Sequence, residues 1–172
     1  MDRCDEWGFT YADHGRSAVA RKIHDLGGRY EAMLSGGSGR GPRLDARPSP
    51  DVWSPVEYGC HVRDVLLTQR ERLLLVLVEE EPTFTPMYRD QRAGLARYRD
   101  ESHDHVAAEI VFAADLLAWV FRGLAGAQWD RTCVYNYPEP SQRTILWLAR
   151  HTLHELTHHL LDLERGVPTD DR

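Results

Sequence analysis

Four of the nine histidines of the chain lie in one short stretch, residues 151–162, which reads HTLHELTHHLLD. Two of them, His154 and His158, are four residues apart. At this spacing two neutral imidazoles project from one side of a helix, one turn apart, and together they can chelate a divalent transition metal. A catalytic metal site usually needs a third protein ligand. The chemistry of this stretch therefore depends on what the fold brings beside the pair.

The same residues also match HExxH, the pattern with which zinc proteases bind their metal. In the extended pattern HExxHxxGxxH, Leu161 stands where the glycine is needed and Glu164 stands where the third histidine belongs. No strand-like alternation indicates the edge strand along which a protease holds its peptide. A zinc protease is therefore a distant alternative. Glu155 projects about 100° from His154, which favours a supporting role over that of a general base.

His61 is the upstream candidate for the third ligand. It lies early in a predicted helix, on a face that is more polar than the opposite one. A polar helix face can wall a site or can simply meet solvent, and the residues alone leave both interpretations open. Asp64, one turn later, could accept the second N–H of a ligand imidazole. The alternative for Asp64 is a surface ion pair with Arg63 or Arg70.

The remaining histidines and the cysteines receive weaker expectations. His151 either faces the cleft or lies at the surface, and His159 is expected to point away from the pair. The three cysteines, Cys4, Cys60 and Cys133, are odd in number and far apart, which favours reduced thiols over a disulfide framework. Cys60 projects about 100° from the histidine that follows it, so it is expected to be a small buried residue.

The composition indicates one ordinary domain, residues 1–172, with an N-terminal extension over residues 1–16. The chain is 42% hydrophobic and 28% charged, as in a soluble globular protein. No apolar run approaches the roughly 20 residues of a membrane span. The net charge of -6 argues against nucleic acid as a partner. The acidic N-terminus lacks an apolar signal region, so the cytoplasm is the expected location.

Four long helices are predicted at about 17–34, 55–80, 103–124 and 144–164, with a shorter one at 87–98. Ser54, Pro55 and Glu57 form a strong start for the second helix, as N-cap, first helical residue and capping-box partner. No strand is predicted. The expected fold class is therefore all-α, a four-helix bundle.

The last long helix has two different sides. A heptad-like apolar stripe must belong to the core, and it comprises Leu146, Ala149, Leu153, Leu156, Leu160 and Leu163. Trp147, His151, His154 and His158 lie roughly opposite it. These histidines are therefore expected either to face solvent or to line a cleft at the edge of the bundle.

Two stretches together, WSPVEYGCHVRD at residues 53–64 and RHTLHELTHH at residues 150–159, resemble the DinB/YfiT-like superfamily of metalloenzymes. The resemblance extends over residues 17–165. It implies a four-helix bundle with a long crossover connection after the second helix. It also implies that a histidine of the second helix joins two histidines of the last long helix around a divalent metal. The matching positions are His61, His154 and His158.

The superfamily that the chain resembles includes bacillithiol and mycothiol transferases, and the expected function follows from this resemblance. We expect a metal-dependent enzyme that transfers a low-molecular-weight thiol to a small electrophile. Zinc or nickel is the expected ion, since imidazole ligands suit both. Only Lys22 among the 21 basic residues is a lysine, a bias typical of GC-rich genomes, which favours mycothiol as the thiol. The alternative is a non-catalytic bundle that binds a metal or a small molecule, and a homodimer is compatible with either.

The N-terminus carries half of a second motif. Residues 4–9, CDEWGF, resemble a CxxCGF element found near the start of some related proteins. Trp7 replaces the second cysteine. A lone thiol cannot build a structural zinc site, so no such site is expected at Cys4.

Overall fold

A computed structural model describes residue 4 and residues 8–35, 44–136 and 139–166 of the chain. Within these ranges five α-helices and three short strands follow one another. In chain order they are α1 (Arg16–Ser35), α2 (Pro55–Val78), β1 (Thr83–Phe84), α3 (Arg89–Leu95), α4 (His103–Arg122), β2 (Thr132–Asn136), β3 (Pro140–Thr144) and α5 (Ile145–Gly166). The predicted helices are confirmed to within a few residues at each end. None of the described helices is long and apolar enough to cross a bilayer.

The four long helices form a bundle in which each helix has two main neighbours. α4 packs between α1 and α2, and α5 packs against α2 and α1. α1 and α4 approach closely at Gly27, where an added Cβ would lie 2.9 Å from the Cβ of Ala114. The long connection after α2 carries β1 and α3 and joins two helices that are themselves in contact, α2 and α4.

The all-α prediction is corrected by a small three-stranded sheet. β2 pairs in parallel with β1, where Thr83 faces Val134, and antiparallel with β3, where Thr132 faces Thr144. No sequence pattern predicts this sheet, because β1 has only two residues and β3 reads PSQRT, a polar strand that starts with proline. Only β2, TCVYN, alternates between half-buried and buried residues as a strand should.

The start of α2 is confirmed as a capping box. The Ser54 backbone N–H donates to Glu57 Oε2 at 2.9 Å, and the Glu57 N–H donates to the Ser54 hydroxyl at 3.4 Å. Arg47 adds a charged contact of 2.7 Å to the same carboxylate. The two backbone bonds satisfy N–H groups at the start of the helix that carries His61, and the Val56 N–H donates to the Leu44 carbonyl.

The apolar stripe of α5 is confirmed as core. Ala149, Leu153, Leu156, Leu160 and Leu163 are buried, and Leu146 is partly buried. The histidines lie on another side of the helix, yet three of the four are buried as well. A second layer of protein therefore covers that side.

Candidate metal centre

The histidine side of α5 lines a cavity of about 420 Å³. Its walls come from the N-terminal segment, α2, residues 85–89, the β2–β3 hairpin and α5. His61, His154 and His158 all line it. A second hollow of about 570 Å³ between α1 and α4 contains a single histidine, His24, so the chemistry of the described residues is concentrated in the first cavity.

His154 and His158 lie one turn apart with ring centroids separated by 5.6 Å, as their spacing predicted. His154 is 8% exposed, and its Nδ1 lies 3.2 Å from the carboxylate of Glu155. Its Nε2 is buried and has no hydrogen-bond partner in the described part of the chain. On the other imidazole, His158 Nε2 lies 3.6 Å from Asp162.

His61 is the most deeply buried histidine of the cavity, at 3% exposed. Its Nδ1 also lacks a hydrogen-bond partner among the described residues. Burial, together with the nearby His159, lowers the pKa of His61 to about 3. The ring is therefore neutral at physiological pH, which is the state that donates a lone pair to a metal.

The sequence predicted that His159 points away from the His154–His158 pair, but in the structure it lines the same cavity. Its ring centroid lies 4.8 Å from that of His61. Its nitrogens face two carboxylates, Nδ1 at 3.0 Å from Asp162 and Nε2 at 3.8 Å from Glu155. Burial alone would lower the pKa of His159, but its hydrogen bonds to Asp162 and Glu155 outweigh burial and raise that pKa.

Glu155 lies at the centre of the α5 histidines. Its carboxylate is 3.2 Å from His154, 3.8 Å from His159 and 3.9 Å from His151. Burial opposes its ionisation, but hydrogen bonds from His154 and His159 outweigh burial and hold the pKa of Glu155 well below its usual range. A carboxylate in this position orients the imidazoles around it, which fits the supporting role expected for Glu155.

His151 belongs to the cavity rather than to the surface. Its Nδ1 lies 2.9 Å from the Tyr11 hydroxyl, and its ring stacks on Trp147 with centroids 4.7 Å apart. Burial lowers the pKa of His151 to about 4. His151 and His159 thus extend the site beyond the three predicted ligands.

Asp64 adopts the ion-pair alternative. It accepts hydrogen bonds from the Tyr98 hydroxyl at 2.6 Å and from Arg63 Nε at 3.1 Å. Within the described residues no bond joins it to His61. Cys60 is buried with its thiol directed to the Tyr98 carbonyl, at 3.8 Å, as expected for a packing residue.

The ligand atoms of the cavity fall into overlapping groups. Within the described ranges, four groups of three side chains have ligand atoms within 4.8 Å of one another. They are Cys4–His154–His158, His61–Glu155–His159, His151–His154–Glu155 and His158–His159–Asp162. The three predicted ligands share the cavity but fall in different groups. Their joint role as ligands stays a prediction.

A family model of the DinB superfamily matches residues 42–163. The chain belongs to the DinB superfamily. The matched region of this DinB-superfamily protein contains His61, His154 and His158, whereas Cys4 and Tyr11 precede it. No match to a curated protein sequence was found.

The fold of this DinB-superfamily protein is similar to a solved structure of YfiT from Bacillus subtilis. The two align with a TM-score of 0.76 over 88% of this chain and 85% of that one, at 15% sequence identity. YfiT is described as a probable metal-dependent hydrolase with an unusual four-helix bundle topology. At this identity the likeness establishes the shared fold.

Proposed function

We propose that this DinB-superfamily protein binds a divalent metal through His61, His154 and His158 and transfers a low-molecular-weight thiol, of the mycothiol type, to a small electrophile. One observation carries the metal site: His61 Nδ1 and His154 Nε2 line one cavity, are buried, and lack hydrogen-bond partners among the described residues. A buried nitrogen without a partner costs about 1–3 kcal/mol. A metal ion coordinated by such a nitrogen would supply the missing partner.

The surroundings of His159 favour His61 over His159 as the third metal ligand. Both His159 nitrogens already face carboxylates, Asp162 and Glu155. His61 has no such competitor at Nδ1 and is held neutral by burial. His159 and Glu155 therefore suit a second layer that orients the ligands.

Three neutral imidazoles leave the full positive charge of the ion in place. When bound, zinc or nickel would lower the pKa of a coordinated thiol, so that thiolate predominates near neutral pH. The protein contributes fixed ligands and a cavity of about 420 Å³. Glu155 holds the imidazole of His154 through Nδ1, which directs Nε2 to the ligand position.

The cavity supports a small substrate that carries an anionic group. Its volume lies within the range of small-molecule sites. Arg72 and Arg143 line it, and in the described part of the chain neither forms an ion pair with a carboxylate. Arg72 donates to the Tyr135 hydroxyl at 2.9 Å, and Arg143 lies over the Trp147 ring at 4.8 Å. Arg72 also donates to the Thr85 carbonyl, whereas Arg143 Nε has no hydrogen-bond partner among the described residues. Arg143 is therefore the better placed of the two to bind an anion such as a carboxylate.

The test is the consumption of thiol with a generic electrophile, with metal-loaded and metal-free protein. Consumption should require metal and should be lost in the His61→Ala variant. His105→Ala, which removes an exposed histidine of α4, is the matched control and should behave as the unaltered protein. Metal binding without any thiol consumption across a panel of electrophiles would instead support the non-catalytic alternative.

A second candidate is a metal-dependent hydrolase, and the description of YfiT favours it. In that case water, rather than a thiol, would be the nucleophile. Assays of ester and amide substrates without thiol separate the two candidates. Turnover that needs metal but no thiol would favour the hydrolase.

A further inference from the structure

The N-terminal segment, residues 8–14, covers the histidine side of α5. The Phe9 ring lies 5.4 Å from the ring of His154, and the Tyr11 ring lies 5.8 Å from it. Tyr11 is buried and reaches His151 through its hydroxyl. This segment precedes the region that matches the DinB-superfamily model.

The segment fixes the position of Cys4. The Gly8 N–H donates to the Cys4 carbonyl and the Cys4 N–H donates to the Phe9 carbonyl, each at 2.8 Å. Gly8 has a φ of +68°, a conformation that glycine adopts without strain. Residues 5–7, including Trp7, lie outside the described residues. The resulting turn brings the Cys4 thiol to within 4.8 Å of ligand nitrogens on both His154 and His158.

The second observation at this place is the orphaned nitrogen of His154. Its Nδ1 is held by Glu155, and its Nε2 is buried with no hydrogen-bond partner in the described ranges. The His154 side chain that carries this nitrogen is 11% exposed. A thiol and two imidazoles, one of which carries a nitrogen without a hydrogen-bond partner, therefore meet in one wall of the cavity. Sulfur and nitrogen are the atoms that zinc and related ions prefer.

We propose that Cys4 supplies a thiolate ligand to the metal ion bound by His154 and His158. This inference rests on the proposed metal site and adds a fourth ligand to it. With His61 the set becomes one cysteine and three histidines, which would close a tetrahedral site, whereas catalytic sites keep a position open.

The consequence is that Cys4 competes with the substrate thiol for the same position. Cys4 gives up its proton to solvent when it binds the ion. When a substrate thiol replaces it, that thiol loses its proton and Cys4 regains one, so the exchange is balanced without an oxidant. The N-terminal segment would then hold the resting site closed.

Cobalt(II) distinguishes this proposal from the metal site on which it rests. A cobalt–thiolate bond produces a near-ultraviolet charge-transfer band, and cobalt–imidazole bonds do not. We expect the band in the cobalt-loaded protein and its loss in Cys4→Ser, with one equivalent of cobalt still bound. Cys60→Ala is the matched control, since this buried thiol lies outside the cavity, and it should keep the band.

A histidine-dependent cobalt spectrum without the charge-transfer band would overturn the role of Cys4 and leave the metal site intact. Failure of the unaltered protein to bind cobalt would overturn both. Alkylation of the unaltered protein, followed by mass spectrometry, gives a readout that needs no variant. Metal should slow the modification of Cys4 by about tenfold or more, because coordination removes the free thiolate. Equal rates with and without metal would contradict the proposal.

Discussion

The Tyr11 hydroxyl lies 2.9 Å from Nδ1 of His151 and joins the N-terminal segment to α5. Burial, with a contribution from Glu155, raises the pKa of Tyr11, so the hydroxyl keeps its proton and can donate it. The His151 ring in turn has Nε2 at 3.9 Å from the carboxylate of Glu155. The Tyr11–His151 hydrogen bond therefore connects the N-terminal segment, which covers the cavity, to a histidine of the cavity wall.

Removal of this bond should loosen the cover. Tyr11→Phe should destabilise the protein by about 0.5–1.5 kcal/mol, since one buried hydrogen bond is lost, as measured by urea unfolding. In metal-free protein the alkylation of Cys4 should become faster. Tyr88→Phe, at a residue that is 61% exposed, is the control. Unchanged stability and alkylation in Tyr11→Phe would show that the segment is held by other contacts.

Loss of a ligand should weaken metal binding from either helix. His61→Ala and His154→Ala should each reduce metal affinity by at least about tenfold, since even loss of a residue that only orients a ligand has that effect. Metal content after dialysis and titration calorimetry measure it, with His105→Ala as the control. If His61→Ala binds metal as tightly as the unaltered protein, the ligand set does not include α2.

The cap of α2 should make stability depend on pH. Burial opposes the ionisation of Glu57, but hydrogen bonds from Arg47 and Ser54 outweigh burial, so the pKa of Glu57 is lowered from 4.5. The stabilisation is therefore present above the unfolded pKa and is lost as the pH falls through the folded one.

The matched variants isolate this contribution. At neutral pH the free energy of unfolding of Glu57→Gln should be about 1 kcal/mol lower than that of the unaltered protein, the usual cost of a weakened cap. This difference should shrink under acid conditions. Urea titrations across the acid range measure it. Glu71→Gln, at an exposed position of α2, should show no such trend. A deficit that stays constant with pH would mean that ionisation of Glu57 contributes nothing.

Chelation should remove the metal without unfolding the protein. The core side chains of α5, among them Leu153, Leu156 and Leu160, are buried independently of the histidine side. After treatment with a chelator, helical circular dichroism should largely persist, with a modest fall in the melting temperature. Global unfolding would make the metal structural and would remove the main support for an enzyme.

Peptidase activity should be absent with any divalent metal. Glu164, at the place of the third protease ligand, forms an ion pair with Arg29 of α1 at 3.0 Å and is not in the cavity. The sheet has two edge strands, β1 and β3, so the absence of an edge strand no longer argues against a protease. The prediction now rests on the absence of a histidine at position 164. Casein and short peptides are the test substrates. Metal-dependent cleavage that Glu155→Gln abolishes would reverse it.

The sequence determined the helices and the side-by-side placement of His154 and His158 on α5, because both depend on local spacing. Helical periodicity places His154 beside His158 and the leucines on another side whatever the rest of the chain does. The capping box at Ser54 and Glu57 is equally local and was predicted in detail. The small sheet was missed because β1 is too short, and β3 too polar, to give a pattern without the partner strand.

Tertiary structure decided what surrounds the histidines. A helical projection gives the direction of a side chain but not the elements packed against it, so the burial of His151 and His159 required the fold. The half motif at Cys4 gave no reason to place its thiol beside residues 150 positions further along the chain. That juxtaposition depends on packing of the N-terminal segment over α5. Long-range packing is set by the fit of whole surfaces, which no local pattern encodes.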